Sequence, residues 1–256
     1  MTSPRPNSPR SNAEWELWGE IDPLFGVANW PGKQAGDTEA WTEQEFFALG
    51  ASDWSDFLRR WERYGVVLGD CVEIGCGAGR MTRAMAASFR HVHGLDISTG
   101  MLQRAEEAVA GLPVTLHKTD GLTFPLPDAS VDAAFSTHVF QHLDSGEDAE
   151  RNWAEIARVL RPGGSLLIHL PVHFWPGGLE RLESVYTARR SVGDVRAAIK
   201  RRRMGVTRQP IMRGQSYRWD ALEELLTSLG LADVELGIFR LSSNGGQHTC
   251  VFARKP

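Results

Sequence analysis

The chain has 256 residues, 42% hydrophobic and 23% charged, with a formal net charge of −4; this balance excludes a fibrous or wholly disordered chain and fits one globular domain with decorations. No stretch reaches the roughly 18 uninterrupted apolar residues of a membrane span, and residues 1–12, rich in Pro, Ser and Arg, lack the apolar core of a signal peptide, so a cytoplasmic protein is expected. Three cysteines, Cys71, Cys76 and Cys250, are too few and too scattered for a disulfide framework or a zinc knuckle.

In chain order, residues 1–12 offer almost nothing to bury and are expected to be disordered. Residues 13–64 form a helical cap with helices near 13–19, 42–49 and 53–64, and they hold six of the nine tryptophans: Trp15, Trp18, Trp30, Trp41, Trp54 and Trp61. Rigid aromatic faces at a ligand mouth bind sugars or planar rings, whereas most tryptophans anchor cores. Trp30 is counted among the substrate-facing residues.

From residue 66 strands alternate with helices, the signature of a mostly parallel sheet covered on both faces. The first strand, 72–74, runs into Gly75-Cys76-Gly77-Ala78-Gly79 and a helix over 80–87. Glycines in such a turn supply positive φ and let a ligand approach bare backbone, and the helix start offers free N–H groups. A second strand, 90–96, ends in Asp96, placed to bind a ribose diol, and Ser98 caps the next helix. A third, 114–118, leads to Asp120-Gly121, and a fourth, 131–136, leads to residues 137–143, which cross the carboxyl edge of the sheet and carry His138 and His142.

Helix 146–160 has its apolar residues at helical spacing, the turn at 161–164 leads to strand 165–170, and helix 219–229 precedes a hairpin of strands 234–241 and 247–254. Residues 172–216 are far too long for a connection in such a fold and read as a largely helical lid. Between residues 172 and 218 ten Arg and one Lys face three acids, so this segment is +8 and the remainder −12. Such a block fits nucleic acid, anionic lipid, an acidic substrate or a solvated helix face.

Ligands of open α/β sheets bind outside the carboxyl ends of the strands. A dinucleotide site wants glycine at the first, third and sixth positions; here glycines stand at the first, third and fifth, with Arg80 sixth, which argues against NAD.

Residues 73–79, Asp96, Asp120 and the turn Arg158-Val159-Leu160-Arg161-Pro162-Gly163-Gly164 together resemble the class I S-adenosylmethionine (SAM)-dependent methyltransferases, in particular small-molecule (sugar and natural-product) O-methyltransferases. The resemblance spans roughly residues 66–256. It implies a Rossmann-like seven-stranded sheet of order 3-2-1-4-5-7-6 with an antiparallel terminal hairpin. It also implies SAM as cofactor and S-adenosylhomocysteine (SAH) as product. The residues it assigns to the cofactor are Gly75, Cys76, Gly77 and Gly79 at the methionine part, with Glu73 orienting the amino group indirectly. Asp96 would hold the ribose, Ile97 and Leu122 would line the adenine, and Asp120 would face its amino group; Met101, Gly121 and Thr137 complete the set.

Transfer of a methyl group to a hydroxyl needs in-line alignment and a proton acceptor. His142 is the first choice of base and His138 the second, since an imidazole suits that task. His169, His173 and Trp175, at the end of the fifth strand, are further substrate candidates. No metal site is assigned: magnesium prefers carboxylates and waters, and this loop offers imidazoles. The expected partner is a small-molecule acceptor, a sugar, glycoside or polyketide-like hydroxyl compound. The alternatives are N- or C-methylation of an amine or quinone, an RNA or anionic substrate held by the Arg-rich insertion, and a non-catalytic SAM-binding protein.

Overall fold

The computed structural model describes residues 10–174 and 214–256. Seven strands form one sheet: β1 (Asp70–Ile74), β2 (His91–Asp96), β3 (Val114–Lys118), β4 (Val131–Ser136), β5 (Leu160–His169), β8 (Ala232–Arg240) and β9 (Gln247–Arg254). Their order is β3-β2-β1-β4-β5-β9-β8, parallel except for β9, which runs antiparallel to both β5 and β8. The order reverses between β1 and β4, and the expected ligand crevice opens at that switch point. A separate two-stranded parallel sheet joins β6 (Val172–His173) to β7 (Tyr217–Arg218), at the two ends of the long insertion. The lid expected over residues 172–216, with Trp175, lies otherwise outside the described residues, apart from 172–174 and 214–216.

Strands β1 and β4 are almost wholly buried because both sheet faces are covered. On one face α6 (Gly146–Val159) and α7 (Trp219–Ser228) bring Trp153, Ile156, Leu222 and Leu226 against Val72, Ile74, Leu95 and Ala134. On the other face α3 (Glu43–Tyr64) packs Trp54, Phe57 and Trp61 against Cys71, Ala133, Phe135 and Leu167. Trp54 and Trp61 therefore belong to the core, and their indole N–H groups donate to Ser88 Oγ and Ser165 Oγ, each at 3.0 Å.

Helix α3 runs unbroken through Gly50, where two separate helices are expected from sequence. A Cβ at Gly50 would lie 2.1 Å from the Arg80 carbonyl oxygen, so the glycine permits a close crossing and does not break the helix. A Thr42/Glu45 capping box opens α3 and left-handed Gly65 ends it.

The disorder expected through residue 12 is corrected at its end, because α1 (Arg10–Ile21) already includes Ser11 and Asn12. The Ser11 N–H donates to Asp144 Oδ2 at 2.9 Å and Asn12 Nδ2 donates to the Asp120 carbonyl at 2.8 Å. These bonds tie α1 to the loops that follow β4 and β3. With α2 (Pro23–Val27) it roofs the carboxyl edge of the sheet. Among the described residues no helix is long and apolar enough to cross a membrane.

Candidate functional site

A cleft of about 360 Å³ opens at the carboxyl ends of β1, β2 and β4, beneath α1 and α2. Its floor is the glycine loop. Gly75 and Gly77 have φ of +73° and +54°, and a Cβ on either would strike Val139 or Val27, at 2.2 and 2.6 Å. Only glycine meets both demands, so backbone forms this part of the wall. Asp96 stands beside the loop, its Oδ2 accepting from Gly77 N–H and its Oδ1 from Ser98 N–H, both at 2.8 Å. Each oxygen keeps a second lone pair for a ligand. Burial raises the Asp96 pKa above the usual carboxylate range.

Of the expected cofactor residues, Gly75, Gly77, Asp96, Ile97, Met101, Gly121 and Thr137 line the cleft, and Phe124 adds an aromatic wall. Glu73, Cys76, Gly79, Asp120 and Leu122 do not line it. Glu73 turns inward and accepts from Thr82 Oγ1 at 2.6 Å, and burial pushes its pKa up to about 7. Cys76 is buried against Gly94, Gly79 packs on Ala105, and Asp120 Oδ1 accepts from the N–H groups of Leu122 and Thr123, each at 2.9 Å. Asp120 Oδ1 thus holds its own turn together, and cleft lining at that end comes from Ile97, Gly121 and Phe124.

His138 and His142 both line the cleft. His142 is partly buried, its ring 5.2 Å from that of Trp15, and its Nε2 lies 3.1 Å from Gln141 Nε2; an amide nitrogen only donates, so His142 Nε2 accepts. His138 takes the left-handed conformation, with φ of +60°, and burial pushes its pKa well below that of a free imidazole. Trp30 also lines the cleft.

Two further substrate candidates stand apart from the cleft lining. His169 lies behind His138, its Nδ1 accepting from the His138 backbone N–H at 3.2 Å, and does not reach the cleft lining. His173 sits in β6, 3.1 Å from Ser216 Oγ, where the bond spans the small sheet.

The structure also brings in residues without a role in the sequence reading. Arg80 and Asp53 pair at 2.5 Å in the cleft wall, and His248 and Asn244 enter from the terminal hairpin. Arg80 Nε, Thr137 Oγ1 and His248 Nε2 are buried without a hydrogen-bond partner among the described residues. Three orphaned polar atoms in one cleft mark places where a ligand completes the bonding. For Arg80 the signal in the sequence is its place right after the third glycine. His248 carries none beyond sharing a strand face with Cys250 and Phe252.

Residues 72–168, from the first strand to the fifth, match the family described as "Methyltransferase domain". The chain is similar to an uncharacterized methyltransferase of Geobacillus kaustophilus, 33% identical over 96 residues that cover 38% of this chain and 44% of the relative. It is also similar to a malonyl-[acyl-carrier protein] O-methyltransferase of Hahella chejuensis, 34% identical over 100 residues, 38% of this chain and 35% of the relative. The matched stretch thus spans less than half the length of these curated relatives. The N-methyltransferase NodS of Bradyrhizobium japonicum, solved with SAH, superposes with a TM-score of 0.56 at 17% identity, covering 96% of this chain and 98% of that one. The sheet around the matched stretch has the Rossmann-like class I methyltransferase fold, in the strand order expected from sequence.

Proposed function

We propose that the protein is a SAM-dependent methyltransferase acting on a hydroxyl of a small molecule, of the glycoside or polyketide-like kind, with His142 as the proton acceptor. The observation that carries the cofactor is the placement of Asp96 beside the bare-backbone loop Gly75–Gly77 in a cleft walled by Ile97, Met101 and Phe124. That set offers a diol-binding acid, an apolar slot for a planar ring and uncharged backbone, and it lacks the phosphate cradle of a dinucleotide site. SAM supplies an electrophilic methyl group on a sulfonium. The chain's own residues then position the acceptor and take its proton.

His142 Nε2 is the atom assigned to that proton. Without an acceptor bound, its single lone pair takes the Gln141 amide N–H; the acceptor hydroxyl displaces that donor to hand its proton to Nε2, while the ring stays packed against Trp15. His138 is the weaker base, since an imidazole this deeply desolvated resists protonation, and it is assigned to contact with the acceptor. Trp15 and Trp30 add aromatic surface to the cleft wall against which a planar or sugar ring can pack. No role is assigned to the Arg-rich segment.

Calorimetry with SAH tests the cofactor: micromolar binding is expected, weakened by Asp96→Ala, and absence of binding refutes the proposal. An assay of SAH release across sugars, phenols and amines tests the acceptor. Turnover confined to amines would replace the hydroxyl by an amine, and binding without turnover on any acceptor would leave a SAM-binding protein.

A further inference from the structure

Three imidazoles from separate strands meet at one end of the cleft. His138 follows β4, His169 ends β5 and His248 lies on β9, with ring centroids 4.3 to 5.5 Å apart. Hydrogen bonding fixes which nitrogen of each ring bears the proton. The His138 backbone N–H donates to His169 Nδ1 at 3.2 Å, so that nitrogen has no proton, and neutral His169 bears its proton on Nε2. This N–H faces His248 Nδ1 at 3.1 Å. His248 Nδ1 therefore accepts, and the His248 proton sits on Nε2. Burial pushes the pKa of all three rings below the usual value, to about 3 for His169, so the chain of bonds holds neutral rings near pH 7.

The donor atoms of the three rings lie within 4.8 Å of one another, a spacing that would admit a metal ion. The hydrogen bonds argue against one. An ion on His169 Nε2 would move the proton to Nδ1, where it would point at the His138 N–H, donor against donor.

What remains is a directed N–H. His248 is 8% exposed, and its Nε2 is buried with no partner among the described residues, in the same cleft wall as the orphaned Arg80 Nε. The Arg80 charge is matched by Asp53 at 2.5 Å, and the imidazoles are neutral, so this corner has donors but no spare positive charge. A buried carboxylate here would lack a counter-ion, whereas a neutral oxygen satisfies the donors at no such cost.

We propose that His248 Nε2–H in the cleft wall is the donor that binds a neutral carbonyl oxygen of the acceptor, with His169 as the residue that fixes the His248 tautomer. The assignment of this ligand to the acceptor rests on the methyltransferase reading; the donor itself belongs to the protein alone.

The test is nitrogen-15 NMR of the imidazoles of the full chain, titrated with millimolar acetophenone, benzoate or ethylbenzene. We expect Nε2–H tautomers for His169 and His248 and a shift of the His248 Nε2–H signal with acetophenone alone. His248→Phe should weaken acetophenone binding about tenfold. His169→Leu should leave the His248 proton shared between its two nitrogens, a signature that loss of packing alone does not produce. An Nδ1–H tautomer of His248 in the wild type, no response to acetophenone, or an equal response to benzoate or ethylbenzene overturns the proposal. A zinc titration that binds one equivalent and displaces the His248 proton does the same in favour of a metal. Failure of SAH binding with the acetophenone shift intact removes the methyltransferase reading and leaves the subsite.

Discussion

The guanidinium of Arg80 and the carboxylate of Asp53 meet at 2.5 Å with side chains only 6% and 5% exposed. Asp53 also accepts a hydrogen bond from Ser243 Oγ, so one carboxylate ties α3, the end of the glycine loop and the β8–β9 turn together. A buried pair of this kind is costly to halve, because the remaining ion keeps its desolvation penalty without its partner. Asp53→Ala should therefore destabilise the fold by about 3 to 5 kcal/mol in urea denaturation. The double variant Asp53→Asn with Arg80→Gln, which removes both charges, should recover at least half of that loss. Equal instability of the single and double variants would show that the contact contributes through packing and not through charge.

Glu73 carries the opposite sign of charge problem. Its pKa rises from 4.5 to about 7, mainly by burial, with the Thr82 hydrogen bond opposing. A folded-state pKa raised above the unfolded one gives a stability contribution that is full below about pH 4.5 and is lost as the pH rises through about 7. Glu73→Gln keeps an oxygen for Thr82 and removes the charge. It should raise the melting temperature relative to wild type at pH 8, by an amount worth about 3 kcal/mol, and the difference should close near pH 4.5. A difference independent of pH would mean that Glu73 is not desolvated as the structure has it.

The buried imidazoles respond the other way. The pKa of His138, His169 and His248 is depressed in the fold, largely by burial, so their contribution is present above the unfolded value near 6.5 and is lost as the pH falls below it, for His169 toward about 3. In the Glu73→Gln background, which removes the opposing Glu73 contribution, thermal melts between pH 7 and pH 4 should show a steady fall, and adding His169→Leu should flatten it. An identical slope in the variant would place the acid-sensitive groups elsewhere.

The sheet was legible because glycine spacing, strand-terminal acids and alternating apolar runs are local signals, and β9 is found at the expected residues 247–254. The Trp-rich segment was only half legible. Composition does not distinguish Trp54 and Trp61, which cover the sheet, from Trp15 and Trp30, which face the cleft; that depends on α3 crossing Arg80 at Gly50. In the site, Asp96 could be placed because an acid closing the second strand reaches the switch point by topology. Asp120 stands two residues beyond the end of β3, where Lys118 is the register partner of Asp96, and its Oδ1 serves its own turn. His169 and His248 are 79 residues apart and adjacent only through antiparallel pairing of β5 with β9, and no local pattern reveals that contact.

His142 offers the sharpest separation of cofactor binding from chemistry. It lines the cleft next to Trp15, and none of its described partners is Asp96 or the glycine loop. His142→Ala should therefore lower turnover by about 10² to 10⁴-fold, the range of a positioned general base, while SAH affinity in calorimetry stays within about twofold, well under 1 kcal/mol. The lost rate should depend on the acceptor: a phenol already ionised at the assay pH needs no base, so the variant should approach wild-type turnover on acidic phenols and fall far behind on alcohols. A uniform loss on every acceptor would assign His142 to positioning the acceptor against Trp15. Full activity on alcohols would remove it from the chemistry and return His138 to consideration, despite its depressed pKa.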